Sequence, residues 1–238
     1  MNNGYFITGT DTDVGKTWAT VTLMHYFRQQ GRTVAAMKPV ASGCVWQDGQ
    51  WQNADALLLQ HHASSPLPYP LINPYANEEP VSPHLAARSI GIALQIGEVA
   101  GWVREAEAAL TTHVSSPGAS FTVIETAGGV FTPLSMSASN FDLARALEPA
   151  IWVLVAADAL GVLHDVSATL QAMTARGRPP DHLLLSSARE PDASTGTNAL
   201  ELATLGIAAP IAVLARNDDR AIGALVDRLL AGSDEQAR

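Results

Sequence analysis

The sequence predicts an α/β fold: one domain, doubly wound, with a mostly parallel sheet carrying helices on both faces. Three observations lead there. Short apolar runs alternate with helix-period segments along the whole chain, the pattern of a parallel sheet rather than of hairpins. Residues 151–156, Ile-Trp-Val-Leu-Val-Ala, are almost uninterruptedly apolar, as strands covered on both faces are. A glycine-bounded loop at residues 9–17 joins an apolar run to a helix-period segment. No internal repeat and no linker divides the 238 residues.

Composition narrows the class. Hydrophobic residues make up 47% and charged residues 16%, enough for a sizeable core and against wholesale disorder. The net charge of −9 and the pI of about 5.1 give no general pull toward nucleic acid or an anionic membrane. Any phosphate must be held by local groups. The single cysteine, Cys44, excludes an internal disulfide and a cysteine-built metal site, which suits a reducing cytosol. Residues 1–4 carry no signal-peptide pattern and no apolar run reaches membrane-spanning length, so a cytoplasmic protein is expected.

In chain order, residues 5–7 form a first strand and 18–30 a helix, with Gly31 as its stop. Residues 33–37 are the second strand, ending at Lys38-Pro39-Val40. Asp48-Gly49 between Trp46 and Trp51 reads either as a hairpin or flap, or as a solvent loop with two incidental tryptophans. Asn53 can cap a helix over 54–61. Residues 64–83 are proline-rich and irregular, too long for a plain connection, and Ser82-Pro83 opens another helix. A helix follows over 95–112, a polar stretch over 115–120, and a strand over 121–125 that leads into Thr126-Ala127-Gly128-Gly129. Helix 140–147, strand 151–156, helix 162–175, strand 182–185, helix 198–205, strand 211–214 and a last segment at 221–230 complete the alternation, with a disordered tail expected at about 232–238.

The loop Gly9-Thr10-Asp11-Thr12-Asp13-Val14-Gly15-Lys16-Thr17 has the context a phosphate-binding loop needs. Successive backbone N–H groups and the positive end of the helix converge on an anion there. Lys16 would reach the β- and γ-phosphates and the Thr17 hydroxyl would take a place on Mg²⁺. Its first glycine, Gly9, stands one residue earlier than the usual pattern has it, so an ordinary turn containing Gly-Lys-Thr is the alternative. Ligands of such sheets gather at the carboxyl ends of strands, where Lys38, Glu125 and residues 157–161 also fall. Glu125 could hold Mg²⁺, or accept backbone hydrogen bonds as a strand-end carboxylate. Asp55 in a helix's first turn is a weaker second carboxylate. Lys38, fixed by the following proline, is either a point charge aimed at one place or a solvated lysine; in both cases it is expected to be exposed, with little burial to lose. The seven histidines, His25, His61 and His62 included, show no metal-ligand spacing.

Taken together, the loop, Lys38-Pro39-Val40-Ala41-Ser42-Gly43, Asn53-Ala54-Asp55-Ala56-Leu57, Asn73-Pro74-Tyr75, Glu79-Pro80-Val81-Ser82-Pro83-His84 and Glu125-Thr126-Ala127-Gly128-Gly129 resemble, in the same order, the dethiobiotin synthetase family. The offset loop glycine is normal there. The resemblance implies a P-loop NTPase-like fold and a homodimeric, ATP- and Mg²⁺-dependent ligase that closes a ureido ring on 7,8-diaminononanoate with CO₂ or bicarbonate. It implies catalytic roles for Lys38, Lys16 and Thr12, and Mg²⁺ on Thr17, Asp55 and Glu125. Nucleotide is expected along Asp13, Val14, Gly15, Lys16, Thr17 and Trp18, and along Thr126, Ala127 and Gly128. The base is expected at Ser187 and at Ala212, Val213 and Leu214. The diamine is expected on Thr12 and Ser42, with Leu160, Gly161 and His164 meeting its carboxylate from the neighbouring subunit.

Departures from the family pattern stand out. Asp13 occupies a position where glutamate is frequent, and Thr126 one where glycine is frequent. Ser186-Ser187-Ala188 falls where many members carry Asn-Asp, so the amide that reads adenine is replaced by a hydroxyl. The aromatic of the segment at 212–214 is missing. Two readings compete: a regulatory or partitioning ATPase of the related deviant group, whose extra loop lysine residues 9–14 lack, and a nucleotide-binding relative without activity.

Overall fold

The computed structural model describes residues 4–64, 67–111, 120–148, 150–207, 211–214 and 223. From the N-terminus, β1 (Gly4–Gly9) leads through the loop into α1 (Lys16–Gln29) and β2 (Thr33–Met37). A short β3 (Val40–Ala41) precedes β4 (Val45–Gln47) and β5 (Gln50–Gln52); then come α2 (Ala54–His62), α3 (Tyr69–Ile72), β6 (Tyr75–Ala76), α4 (Pro83–Ser89) and α5 (Ile96–Thr111). The second half runs β7 (Ser120–Gly129), α6 (Asn140–Ala146), β8 (Ile151–Asp158), α7 (Val162–Ala175), β9 (His182–Ser187), α8 (Asn198–Thr204) and β10 (Ile211–Leu214).

Six parallel strands make the central sheet in the order β10-β9-β8-β1-β7-β2. Their side chains alternate between two cores, as a period of two requires. Tyr5, Ile7, Val34, Ala36, Phe121, Val123, Val153 and Val155 meet Ala19, Leu23, Met24 and Phe27 of α1 and Leu59 of α2. Phe6, Ala35, Met37, Ile124, Trp152 and Leu154 meet α5, α6, α7 and α8 on the other face. The sheet is therefore doubly wound, as the alternation predicts. Because β1 sits centrally and the chain leaves it first to one edge and later to the other, the loop after β1 opens at the switch in strand order, where such sheets form their binding crevice.

The Trp46–Trp51 segment is a hairpin. β4 and β5 pair antiparallel with Trp46 opposite Trp51, their rings 5.3 Å apart. Asp48 (φ 52°) and Gly49 (φ 79°) supply the two positive φ values a two-residue turn needs. Asn53 caps α2, its side-chain oxygen accepting from the N–H groups of Asp55 and Ala56. The stretch 64–83, expected to be irregular, contains α3 and β6, and β6 pairs with β3. The strand expected to stop at Glu125 runs on through Gly129, since Gly9 pairs with Gly129 beyond a shift in register. The segment 221–230 (Gly223 apart), the tail at 232–238 and residues 115–119 of the polar stretch lie outside the described residues. Among the described residues no helix is long and apolar enough to cross a membrane.

At the foot of α6, Asp142 accepts from the Ser139 N–H and hydroxyl, both at 2.8 Å, and pairs with Arg176 at 2.6 Å. Burial pushes the Asp142 carboxyl up, but these donors outweigh it and hold the group below the usual aspartate value. A depressed carboxylate adds stability above the unfolded pKa and loses it as pH falls through the folded one. Asp142→Ala should therefore cost about 1–2 kcal/mol, a Tm drop of roughly 3–6 °C near neutral pH. That gap should narrow between pH 5 and pH 3 (about one unit either side of an ordinary aspartate). Thermal melts across this range check it, and a constant gap would contradict it.

Candidate active site

Register builds the site. Ile7 lies beside Glu125, and Met37 beside Ile124, so Lys38 follows β2 directly next to Glu125. Glu125 is fully buried. Its Oε1 accepts from the Thr17 hydroxyl at 2.7 Å and from Lys38 Nζ at 2.9 Å; its Oε2 accepts from Thr20 at 2.9 Å. The Lys38 ammonium also pairs with Asp55, which the Asn53 cap holds in the first turn of α2. Four of the six residues expected in catalysis or on the metal, Thr17, Lys38, Asp55 and Glu125, are thus joined by direct hydrogen bonds, and Lys16 and Thr12 are not among them.

One expectation is overturned. Lys38 is not an exposed strand-end lysine but only 6% exposed. Pairing with Glu125 draws it inward, and Asn73 fixes its backbone by donating to the Lys38 carbonyl at 2.6 Å. Burial pushes the Lys38 pKa down, yet the Glu125 and Asp55 carboxylates more than reverse this, so the ammonium is held above the ordinary lysine value. Lys16 is the opposite case. Its Nζ donates to the Asp11 carbonyl at 2.8 Å. Burial, reinforced by the Lys38 ammonium and opposed by Glu125, Asp55 and Asp13, lowers its pKa to about 8. Among the described residues no carboxylate is paired directly with Lys16, and a phosphate would supply that partner.

The loop's glycines have physical reasons. A Cβ on Gly9 would lie 2.8 Å from a Val14 methyl and 2.9 Å from the Asp11 carbonyl oxygen, so the early glycine is where the loop folds back on itself. A Cβ on Gly129 would meet the Thr10 carbonyl oxygen at 2.7 Å, so β7 can press against the loop only without a side chain. Asn140, buried at the start of α6, donates to the Ala127 and Gly129 carbonyls at 2.8 Å each and fastens the stretch around Gly128.

The other expected residues are more dispersed. Thr12 and Asp13 are exposed on the loop, Asp13 at φ 57°, and Trp18 is half exposed on α1. Ser42 is half-buried, its carbonyl 3.4 Å from the Asn53 amide. Thr126 is buried, its hydroxyl 3.1 Å from both Thr8 Oγ1 and the Gly128 carbonyl oxygen, away from the Glu125 carboxylate. Ala212 and Leu214 spend their side chains in one core, and Val213, half-buried, packs against the other. Leu160 is 86% exposed before α7, Gly161 is the helix's N-cap at φ 102°, and His164 is exposed one turn on. The Leu160 N–H already donates to Asp192 at 2.7 Å. Reading the sequence missed Thr20, Asn73 and Asn140 as individual supports. Thr20 left a signal, one turn beyond Thr17 on the same face of α1, and Asn73 stood in the Asn73-Pro74-Tyr75 motif without a role of its own.

Among the described residues no group of three or more His, Cys, Asp or Glu could hold a metal. The donors that do converge are two carboxylates, both on the Lys38 ammonium, and the Thr17 hydroxyl, which lies on Glu125; all are hard oxygens. That set fits Mg²⁺, which commonly takes one or two carboxylates and completes its shell with phosphate and water.

The chain is similar to known proteins in sequence and in fold. A family model described as AAA domain matches residues 3–224. The ATP-dependent dethiobiotin synthetase BioD of Xanthomonas oryzae pv. oryzae is 40% identical over 174 residues, 73% of each chain. The chain belongs to the dethiobiotin synthetase family. The namesake from Aeromonas hydrophila is 37% identical over 179 residues, 75% of each chain. Solved structures show the fold alone: a ParA family ATPase from Chlorobium tepidum has TM-score 0.51 at 12% identity, covering 98% of this chain and 90% of its own. The receptor FtsY from Elizabethkingia anophelis has TM-score 0.53 at 13% identity, covering 96% and 65%.

Against the synthetase pattern, the Ser187 hydroxyl is not simply a shorter amide. It donates to the Leu214 carbonyl at 3.1 Å, so its proton serves the β9–β10 edge rather than a base. Discrimination among ATP, CTP and GTP should then be weaker than in relatives with asparagine there, with KM values within about tenfold, one hydrogen bond's worth. Steady-state KM measurements for the three nucleotides check this, and a strong ATP preference would assign the reading to backbone groups.

Proposed function

We propose that this chain is a Mg²⁺-dependent dethiobiotin synthetase of the cytoplasm, working as one domain in a homodimer. It closes the ureido ring of dethiobiotin from 7,8-diaminononanoate, CO₂ and ATP. The observation that carries the reading is the buried Lys38, held by Asp55 and Glu125 one strand away from Lys16 of the loop. A carbamate and a triphosphate are both anions, and bringing them into reaction needs fixed cations in a site of low dielectric.

The backbone of residues 13–17 and the start of α1 receive the phosphates, and Lys16 leaves the Asp11 carbonyl for them. Thr17, Asp55 and Glu125 hold Mg²⁺, which when bound neutralises phosphate oxygens. Thr12 and Ser42 contact the diamine, and Leu160, Gly161 and His164 of the neighbouring subunit receive its carboxylate. One amine takes up CO₂ as a carbamate, and a carbamate oxygen attacks the γ-phosphorus, releasing ADP. The second amine attacks the carbamoyl carbon of the mixed anhydride, and phosphate leaves. Lys38 stabilises the charge that moves from the carbamate to the bridging oxygen.

ADP formation should require ATP, Mg²⁺, the diamine and bicarbonate together. Turnover at full rate without the diamine would indicate an ATPase instead. Lys38→Ala should lose about 10²–10³-fold in kcat, the effect of roughly 3–4 kcal/mol of transition-state stabilisation. Lys38→Arg should recover little, because a planar fork does not fill the space of a compact ammonium. Ureido-ring formation is the assay, run well below the variant's melting temperature. Activity within about threefold of wild type, by the same barrier arithmetic, would remove Lys38 from the mechanism.

A further inference from the structure

Without ligands, the two ammoniums Lys16 and Lys38 share the end of β2 and β7 with the carboxylates of Asp55 and Glu125, and Asp13 of the loop also acts on Lys16. Lys38 lies between the carboxylates, hydrogen-bonded to both, while Lys16 touches neither and rests on a carbonyl. Glu125 is fully buried and Lys38 nearly so, so neither can shed its partner to water. Thr17, the remaining oxygen of the set, also lies on the Glu125 carboxylate. The two carboxylates fit to hold a divalent cation are therefore the ones that hold Lys38, so a cation that takes them competes with the ammonium.

We propose that Lys38 is the resident counter-ion of the metal site: Asp55 and Glu125 hold its ammonium until a divalent cation arrives with the nucleotide, and Lys38 is released to the reacting anions by that exchange. This rests on the metal assignment proposed above. It makes the catalytic ammonium available only when the metal and its polyphosphate are both in place. A divalent cation alone would have to displace an ammonium already hydrogen-bonded to both carboxylates, so wild type should bind Mg²⁺ weakly without nucleotide.

The test uses no turnover. Without nucleotide, Lys38→Met leaves two carboxylates uncompensated, so it should melt below wild type and regain at least about half that loss in millimolar MgCl₂, but not in NaCl of equal ionic strength. Its calorimetric affinity for Mg²⁺ alone should exceed wild type's by about tenfold or more. The double variant Lys38→Met/Glu125→Gln should melt above the single variant and ignore Mg²⁺. If Lys38→Met yields no folded protein, that double variant decides: a folded, Mg²⁺-indifferent protein supports the exchange, and equal failure overturns it. A Lys38→Met protein with wild-type affinity for Mg²⁺, or an unmoved melt, also overturns it. The metal assignment is read separately, from the Mg²⁺ dependence of ATP binding to wild type. If that dependence is absent the assignment falls, and if it is present while Lys38→Met ignores Mg²⁺, only the exchange falls.

Discussion

A carboxylate with no exposure, Glu125, is the constraint on which the rest of the site depends. A buried charge without partners costs several kcal/mol, so β7 can carry this residue only if donors reach it from elsewhere. They come from two directions: Thr17 and Thr20 from the first turns of α1, Lys38 from the end of β2. Each is placed by the parallel register of β1, β7 and β2. The loop, the helix that follows it and the second strand are thereby tied to one carboxylate. The glycines at 9 and 129 let the loop lie close enough for this to happen.

Much of this was legible in the sequence because it is local. The segments 33–37, 162–175 and 211–214 match β2, α7 and β10 residue for residue, since hydrophobic period and turn residues both mark their ends. The Asn53 cap and the Asp48-Gly49 turn were readable for the same reason. What depends on distant partners was not. Lys38 looks like a solvent-facing lysine until Glu125, far along the chain, is brought beside it. Asn140 looks like an ordinary helix start until its amide is seen clasping the carbonyls of Ala127 and Gly129. Local pattern reports which side chains are apolar, but not which polar ones will be buried together.

The same division separates fold from function. ParA-type and FtsY structures share the architecture at 12–13% identity, so the sheet and its loop carry no commitment to a reaction. Beyond the loop, this chain sets Lys38 at the end of β2 against Asp55, delivered by a capped helix. Two of the departures from the family pattern, Thr126 and Ser187, fall outside that group. Thr126 turns its hydroxyl toward Thr8 and Gly128, and Ser187 turns toward Leu214, so both leave the Glu125 constellation intact.

In the mechanism proposed above, a carbamate oxygen, not a water, becomes the bridging oxygen to phosphorus. Carrying oxygen-18 in the CO₂ tests this directly. If the carbamate is the nucleophile, phosphate released with dethiobiotin contains one labelled oxygen, inherited from the carbamate. Phosphate free of label, with all the label in the ureido carbonyl or in unreacted CO₂, would contradict it.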